Sequence, residues 1–220
     1  MFSRFIDNDN SPVVLRNVDR LAWGRLVSNA CYRFAPPFVA VIARGLDVTV
    51  GQLGIALMIG EFAGLLSPVI GRRIDRSNRL AGMTFGMSAL FVSVIGAAVS
   101  PNIVVFAVSM FFLSASKVVF DTALIVWVND HVPYERRGQV VGVIETSWAL
   151  GLFIGVSAMG LVTALTNWRA GFGLGALMML LTGASILQRL PHHEAHAPAT
   201  EHVSARIPRN GWLVVAAFFM

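Results

Sequence analysis

Lys117 and Asp121 stand four residues apart in a run, 103–128, that is otherwise strongly apolar. On a helix that spacing puts both on one face, with Ser114 on the same stripe, so ammonium and carboxylate can neutralise each other. Glu145, Glu61 and Arg33 are set in similar runs at 139–165, 50–70 and 22–43, and Asn29, Arg33 and Pro37 line up on the last of these. An ionisable group near a bilayer centre costs roughly 2.5–3.5 kcal/mol on insertion scales, so it normally faces inward and is used. Two uses stay open. The charges can form neutral pairs that hold helices together, Lys117 with Asp121 and Arg33 with Glu61, or some of them can bind a solute or carry a proton. Glu145, near Trp148, is the preferred proton carrier. At about 1.5 Å per residue, Lys117 and Glu145 fall at similar depth in a core of ~30 Å, so these two can also pair.

The elements that must position these groups are membrane helices. Of the 220 residues 55% are apolar and 13% charged, with mean hydropathy +0.68; that charge content is about half of what a soluble domain carries. Apolar runs at about 22–43, 50–70, 80–99, 103–128, 139–165 and 170–187 are each long enough to cross a bilayer, and a seventh opens at Trp212. Period-2 alternation is missing and open sheet cannot sit in lipid, so the expected fold is an all-α polytopic membrane protein. The polar first 20 residues carry no cleavable apolar core, so no signal peptide is expected. Cys31 is the single cysteine, which excludes an intrachain disulfide. Pro36 and Pro37 should kink the first span.

The net charge of +5 does not read as a nucleic-acid footprint. Arg4, Arg16, Arg20 and Arg25 precede or open span 1. Arg72, Arg73, Arg76 and Arg79 follow span 2, Arg136 and Arg137 follow span 4, and Arg189, Arg206 and Arg209 follow span 6. The other side has only Arg44 and Arg169. The positive-inside rule therefore makes the N-terminus and those loops cytoplasmic. The expected organisation is a cytoplasmic segment 1–21, a six-helix unit 22–187, a cytoplasmic linker 188–210 and the start of a seventh helix at 211–220. The linker's His192, His193, Glu194 and His196 lack helical periodicity and read as a solvated connector; no metal or cofactor is expected. A constant offset pairs Arg33 with Lys117, Gly54 with Gly138, Glu61 with Glu145 and Gly71 with Gly155. Spans 1–3 and 4–6 would then be two inverted three-helix repeats.

The stretch "GRRIDRSNR" at 71–79 resembles the G-x-x-x-D-R-x-G-R-R loop of the major facilitator superfamily, in position and orientation. "NDHVPYERRG" at 129–138, the glycines 142, 151 and 155, and "NWR" at 167–169 extend the resemblance across the chain as the N-terminal six-helix half. Asn78 and Leu80 depart from the loop motif, and Val156 and Met159 from the glycine-rich antiporter motif. The resemblance implies a conformational latch of Gly71, Asp75, Arg76, Arg79 and Asp130, and a central cavity lined by spans 1, 2, 4 and 5. It also implies that Gly142, Gly151 and Gly155 form a helix-packing seam that meets the other half; by residue size alone they suit close packing.

These readings make the chain part of a secondary transporter of a small solute, working by alternating access. Proton-coupled efflux across a bacterial inner membrane is the expected mode, and the expected partners are the lipid bilayer, the solute, protons, and a further six-helix half or a second copy. The rivals are a non-transporting scaffold or sensor derived from a half-transporter and a membrane enzyme with an unrecognised site. An enzyme is not expected, since neither G-x-S-x-G nor H-E-x-x-H occurs.

Overall fold

The computed structural model describes residues 2–6, 10, 12–67, 70 and 79–189. Among these there is no strand, and helices follow one another through short links. The first span is α1 (Pro12–Arg33) and α2 (Val39–Gly45); the second is α3 (Val50–Glu61), and the third is α4 (Arg79–Ala98). The fourth is α5 (Ile103–His131), the fifth α6 (Tyr134–Leu150) and α7 (Ser157–Leu165), and the sixth α8 (Trp168–Arg189). Five of these spans are long and apolar enough to cross a membrane, and Val50–Leu65 is a shorter apolar helix. The expected linker, apart from 188 and 189, which still belong to α8, and the expected seventh helix lie outside the described residues.

The first span begins ten residues earlier than its hydropathy suggests. Val14, Val18 and Leu21 are fully buried at helical spacing, so one face of the polar segment packs and the helix continues past the apolar run. Ser3 donates to Asp19 through both its backbone N–H and its hydroxyl, each at 2.9 Å, and Phe2 meets the Trp23 ring edge-on. The helix breaks where the prolines predict, since each lacks the N–H the ladder needs. Pro36–Phe38 forms one tight turn before α2 resumes. The next helix opens on a reciprocal cap, the Thr49 hydroxyl accepting from Gln52 N at 3.2 Å and Gln52 Oε1 from Thr49 N at 2.9 Å. Asn102 caps the fourth span in the same sense, accepting from Val105 N at 3.0 Å. In the fifth span Gly151–Val156 is a wider π turn.

The third span packs on the fourth and the sixth, the second on the fourth, and the first on the fifth and the sixth. Exchanging spans 1 and 4, 2 and 5, 3 and 6 maps these contacts onto one another; the packing of the fifth span on the sixth has no counterpart between the second and third among the described residues. Successive spans alternate in direction, so each exchanged pair is antiparallel, as two inverted three-helix repeats require. At the end bearing the links 45–49 and 166–167, Phe34, Phe38, Phe106, Trp168 and Phe172 form a chain of rings with centroids 4.8 to 6.2 Å apart. Gly45 makes room for it, since a Cβ there would stand 2.1 Å from Trp168 Nε1. Arg169 stacks on Trp168 and donates to the Ser100 carbonyl at 2.8 Å, tying the sixth span to the link after the third.

Candidate functional site

Between spans 1, 4 and 5 lies an open cavity of about 480 Å³. Arg25, Asn29, Tyr32 and Arg33 reach it from the first span, Ser114, Lys117, Val118, Asp121 and Thr122 from the fourth, and Glu145 and Trp148 from the fifth. Each set repeats at three or four residues, so each helix turns one polar stripe to the cavity. The fifth span can lie close to the first because two glycines remove side chains between them. A Cβ at Gly151 would stand 2.7 Å from the Leu26 carbonyl oxygen, and one at Gly155 would stand 2.4 Å from Ala30 Cβ. Gly142 plays no such part: nothing lies within 4 Å of the position its Cβ would take.

The charges form one chain across three helices. Lys117 donates to Asp121 Oδ2. Asp121 Oδ1 lies 3.7 Å from Arg25 Nε, and Arg25 Nη1 donates to Glu145 Oε1 at 2.6 Å. Arg25 and Lys117 side chains are each 12% exposed, whereas Glu145 is 48% exposed. The acid is thus the member of the chain most open to water and the cations are its more enclosed part. The expected Lys117 to Glu145 pair is therefore replaced: both line the same cavity, but Asp121 and Arg25 stand between them. The expected Arg33 to Glu61 pair is replaced as well. Glu61 accepts from the Tyr32 hydroxyl at 2.6 Å, while the Arg33 guanidinium lies over the Tyr32 ring, 5.1 Å from its centroid.

Arg25 is the residue the sequence reading misplaced. Counted as a flanking positive charge, it is in fact eight residues before the end of α1, inside the bundle. The signal was present: Arg25 precedes Asn29 and Arg33 on the same four-residue stripe. Of the latch, Gly71, Asp75 and Arg76 lie outside the described residues, and Arg79 is described only as the start of α4. Asp130 is exposed near the end of α5, and the turn beyond it is tied by Arg137, which donates to the carbonyls of Val132 at 2.9 Å and Asn129 at 2.8 Å. Such contacts close a helix C-terminus. Among the described residues no group of His, Cys, Asp and Glu could hold a metal ion.

Residues 21–220 match the family described as Major Facilitator Superfamily. The chain is 26% identical over 137 residues to the uncharacterized MFS-type transporter YwfA of Bacillus subtilis, covering 62% of this chain and 33% of that protein. It is 25% identical over 176 residues to the putative uncharacterized transporter YgaY of Escherichia coli K12, covering 78% and 43%. To the multi-drug resistance efflux pump PmrA of Streptococcus pneumoniae it is 28% identical over 170 residues, covering 74% and 42%. A solved structure of the peptide transporter POT in complex with sulfate superposes with a TM-score of 0.68 at 18% identity, covering 99% of this chain and 48% of that one. The chain spans less than half the length of these proteins.

Proposed function

The chain belongs to the Major Facilitator Superfamily, and from that membership we propose that it is the N-terminal half of a secondary active transporter that moves a small solute by alternating access. The observation that carries this reading is the cavity itself. Ionisable groups are expensive inside a bundle of apolar helices, yet here three spans each bring theirs to one open space. The similarity to a multi-drug efflux pump favours efflux. The basic loops favour a cytoplasmic N-terminus, and the bacterial relatives favour a bacterial inner membrane. The coverage of the relatives favours a second six-helix half, or a second copy, that closes the cavity.

Coupling to protons is assigned to Glu145. It is the most exposed acid of the charge chain, and its bond to Arg25 gives it a cation to hold when ionised and to release when protonated. The loop at 71–79 with Asp130 is the proposed latch between states, since interfacial charge pairs of modest energy can bias a two-state element without locking it. The test is Glu145→Gln in the intact gene, assayed in membrane vesicles. It should abolish pH-gradient-driven accumulation and leave downhill exchange intact. A variant that still concentrates solute leaves Glu145 as only a structural partner of Arg25.

A further inference from the structure

The wall of the cavity carries more positive charge than its acids can absorb. Three cations, Arg25, Arg33 and Lys117, face two anions, Asp121 and Glu145. Both anions are engaged, Glu145 with Arg25, and Asp121 with Lys117 and Arg25. Glu61 does not line the cavity; its carboxylate accepts from the Tyr32 hydroxyl and keeps its charge behind the wall. That leaves Arg33 with an aromatic face and no ion pair among the described residues.

Hydrogen-bond accounting gives the same answer independently. Asn29 is 2% exposed, lines the cavity, and its Nδ2 has no partner among the described residues. Arg25 Nε and Asp121 Oδ1 also lack a hydrogen bond, but these two face each other at 3.7 Å. The Asn29 amide has no such counterpart. Buried donors are seldom left unmade in native structures; as the amide stands Nδ2 is itself enclosed, and a half-turn about the last side-chain bond, which exchanges it with Oδ1, is what presents it to a ligand. Asn29 and Arg33 are one turn apart on the same face of α1, so an N–H donor and a guanidinium sit side by side.

Resting on the reading of this cavity as the solute site, we propose that the solute is an organic anion whose charged oxygen group docks between Arg33 and Asn29. A carboxylate-like group accepts from both donors, and charge-assisted bonds of this kind are the stronger ones. An anion suits the surplus of positive charge that these three spans bring to the cavity. A cationic solute would meet Arg33 uncompensated. Val118 and Trp148 supply apolar wall for the rest of the molecule.

The test reads the cavity's field without requiring transport. Val118 is half-buried on the wall and takes no part in the charge chain, so Val118→Cys is a local reporter; Cys31 is buried, and the unsubstituted protein gives the blank. In solubilised protein from the intact gene, the anionic sulfonatoethyl and the cationic trimethylammonioethyl methanethiosulfonates are compared, each normalised to its rate with 2-mercaptoethanol. The anionic reagent should be favoured roughly tenfold. Arg33→Gln should return the ratio to the free-thiol value, Arg33→Lys should retain it, and benzoate should slow labelling more than benzylammonium does. A ratio at or below the free-thiol value, no labelling by either reagent, insensitivity to Arg33→Gln, or protection by benzylammonium equal to that by benzoate overturns the proposal. Vesicles that move a cation while the ratio stays low would keep the transporter and discard the anion.

Discussion

Arg33 and Phe34 are neighbours in sequence and belong to two different regions of the molecule. Phe34 is fully buried, 4.8 Å from the Phe38 ring and 4.9 Å from the Phe172 ring, in a layer where glycines 45, 160 and 171 have given up side chains so that rings can close. Arg33 looks the other way, into an open cavity where an amide lacks its acceptor and charges are shared rather than paired off. The ring layer is finished; the cavity is not. A wall that must bind and release something keeps unmet bonds, and the rigidity it needs comes from the packed layer beside it. A substitution in the layer should therefore cost stability, while one in the cavity should cost function first.

The sharpest break of that contrast is Phe172→Ala. It removes a ring that touches Phe34, Phe106 and Trp168, and should cost about 3–5 kcal/mol, the range for aromatic truncation in a core. Thermal unfolding in detergent would register it, and a loss under 1 kcal/mol would mean that the layer is not the scaffold.

Asp121→Asn is the exception expected within the cavity. It takes from Lys117 its carboxylate and from Arg25 one of two, and both cations are largely enclosed. Losing a hydrogen bond to a charged group should cost about 1.5–3 kcal/mol, seen as lower membrane yield and an earlier melt. An unchanged melt would show that water already reaches Lys117.

The smallest effect sharpens the comparison on a single helix. Gly155→Ala would drive its methyl against Ala30 and should cost about 1–3 kcal/mol. Gly142→Ala meets open space and should stay within about 0.5 kcal/mol of the parent. Equal melting points for the two would separate the glycine spacing from the packing of span 5 on span 1.

How much of this was legible follows from which forces are local. A bilayer demands about 20 apolar residues per crossing and internal satisfaction of every backbone group, so span number, helical class and the kink at Pro36 and Pro37 were set by the sequence alone. The Lys117 to Asp121 contact was equally local, because four residues of helix bring the two together whatever surrounds them. The family motifs were visible as strings, though the part of the latch that gives them meaning lies outside the described residues.

The rest needed the packed bundle. Arg25 and Glu145 are separated by 120 residues, and what joins them is the close approach of span 5 to span 1 at Gly151 and Gly155. Depth along two helices suggested Lys117 for Glu145, but depth says nothing about which faces meet, and rotation about the helix axes gave that place to Arg25. Arg33 and Glu61 lost their expected pairing for the same reason, with Tyr32 placed to reach the acid first. Composition and periodicity thus decided that helices cross a membrane and that charges ride on them. Only the packing of one helix face on another, fixed by side-chain volume at the contact, decided which charges meet and which donor is left waiting.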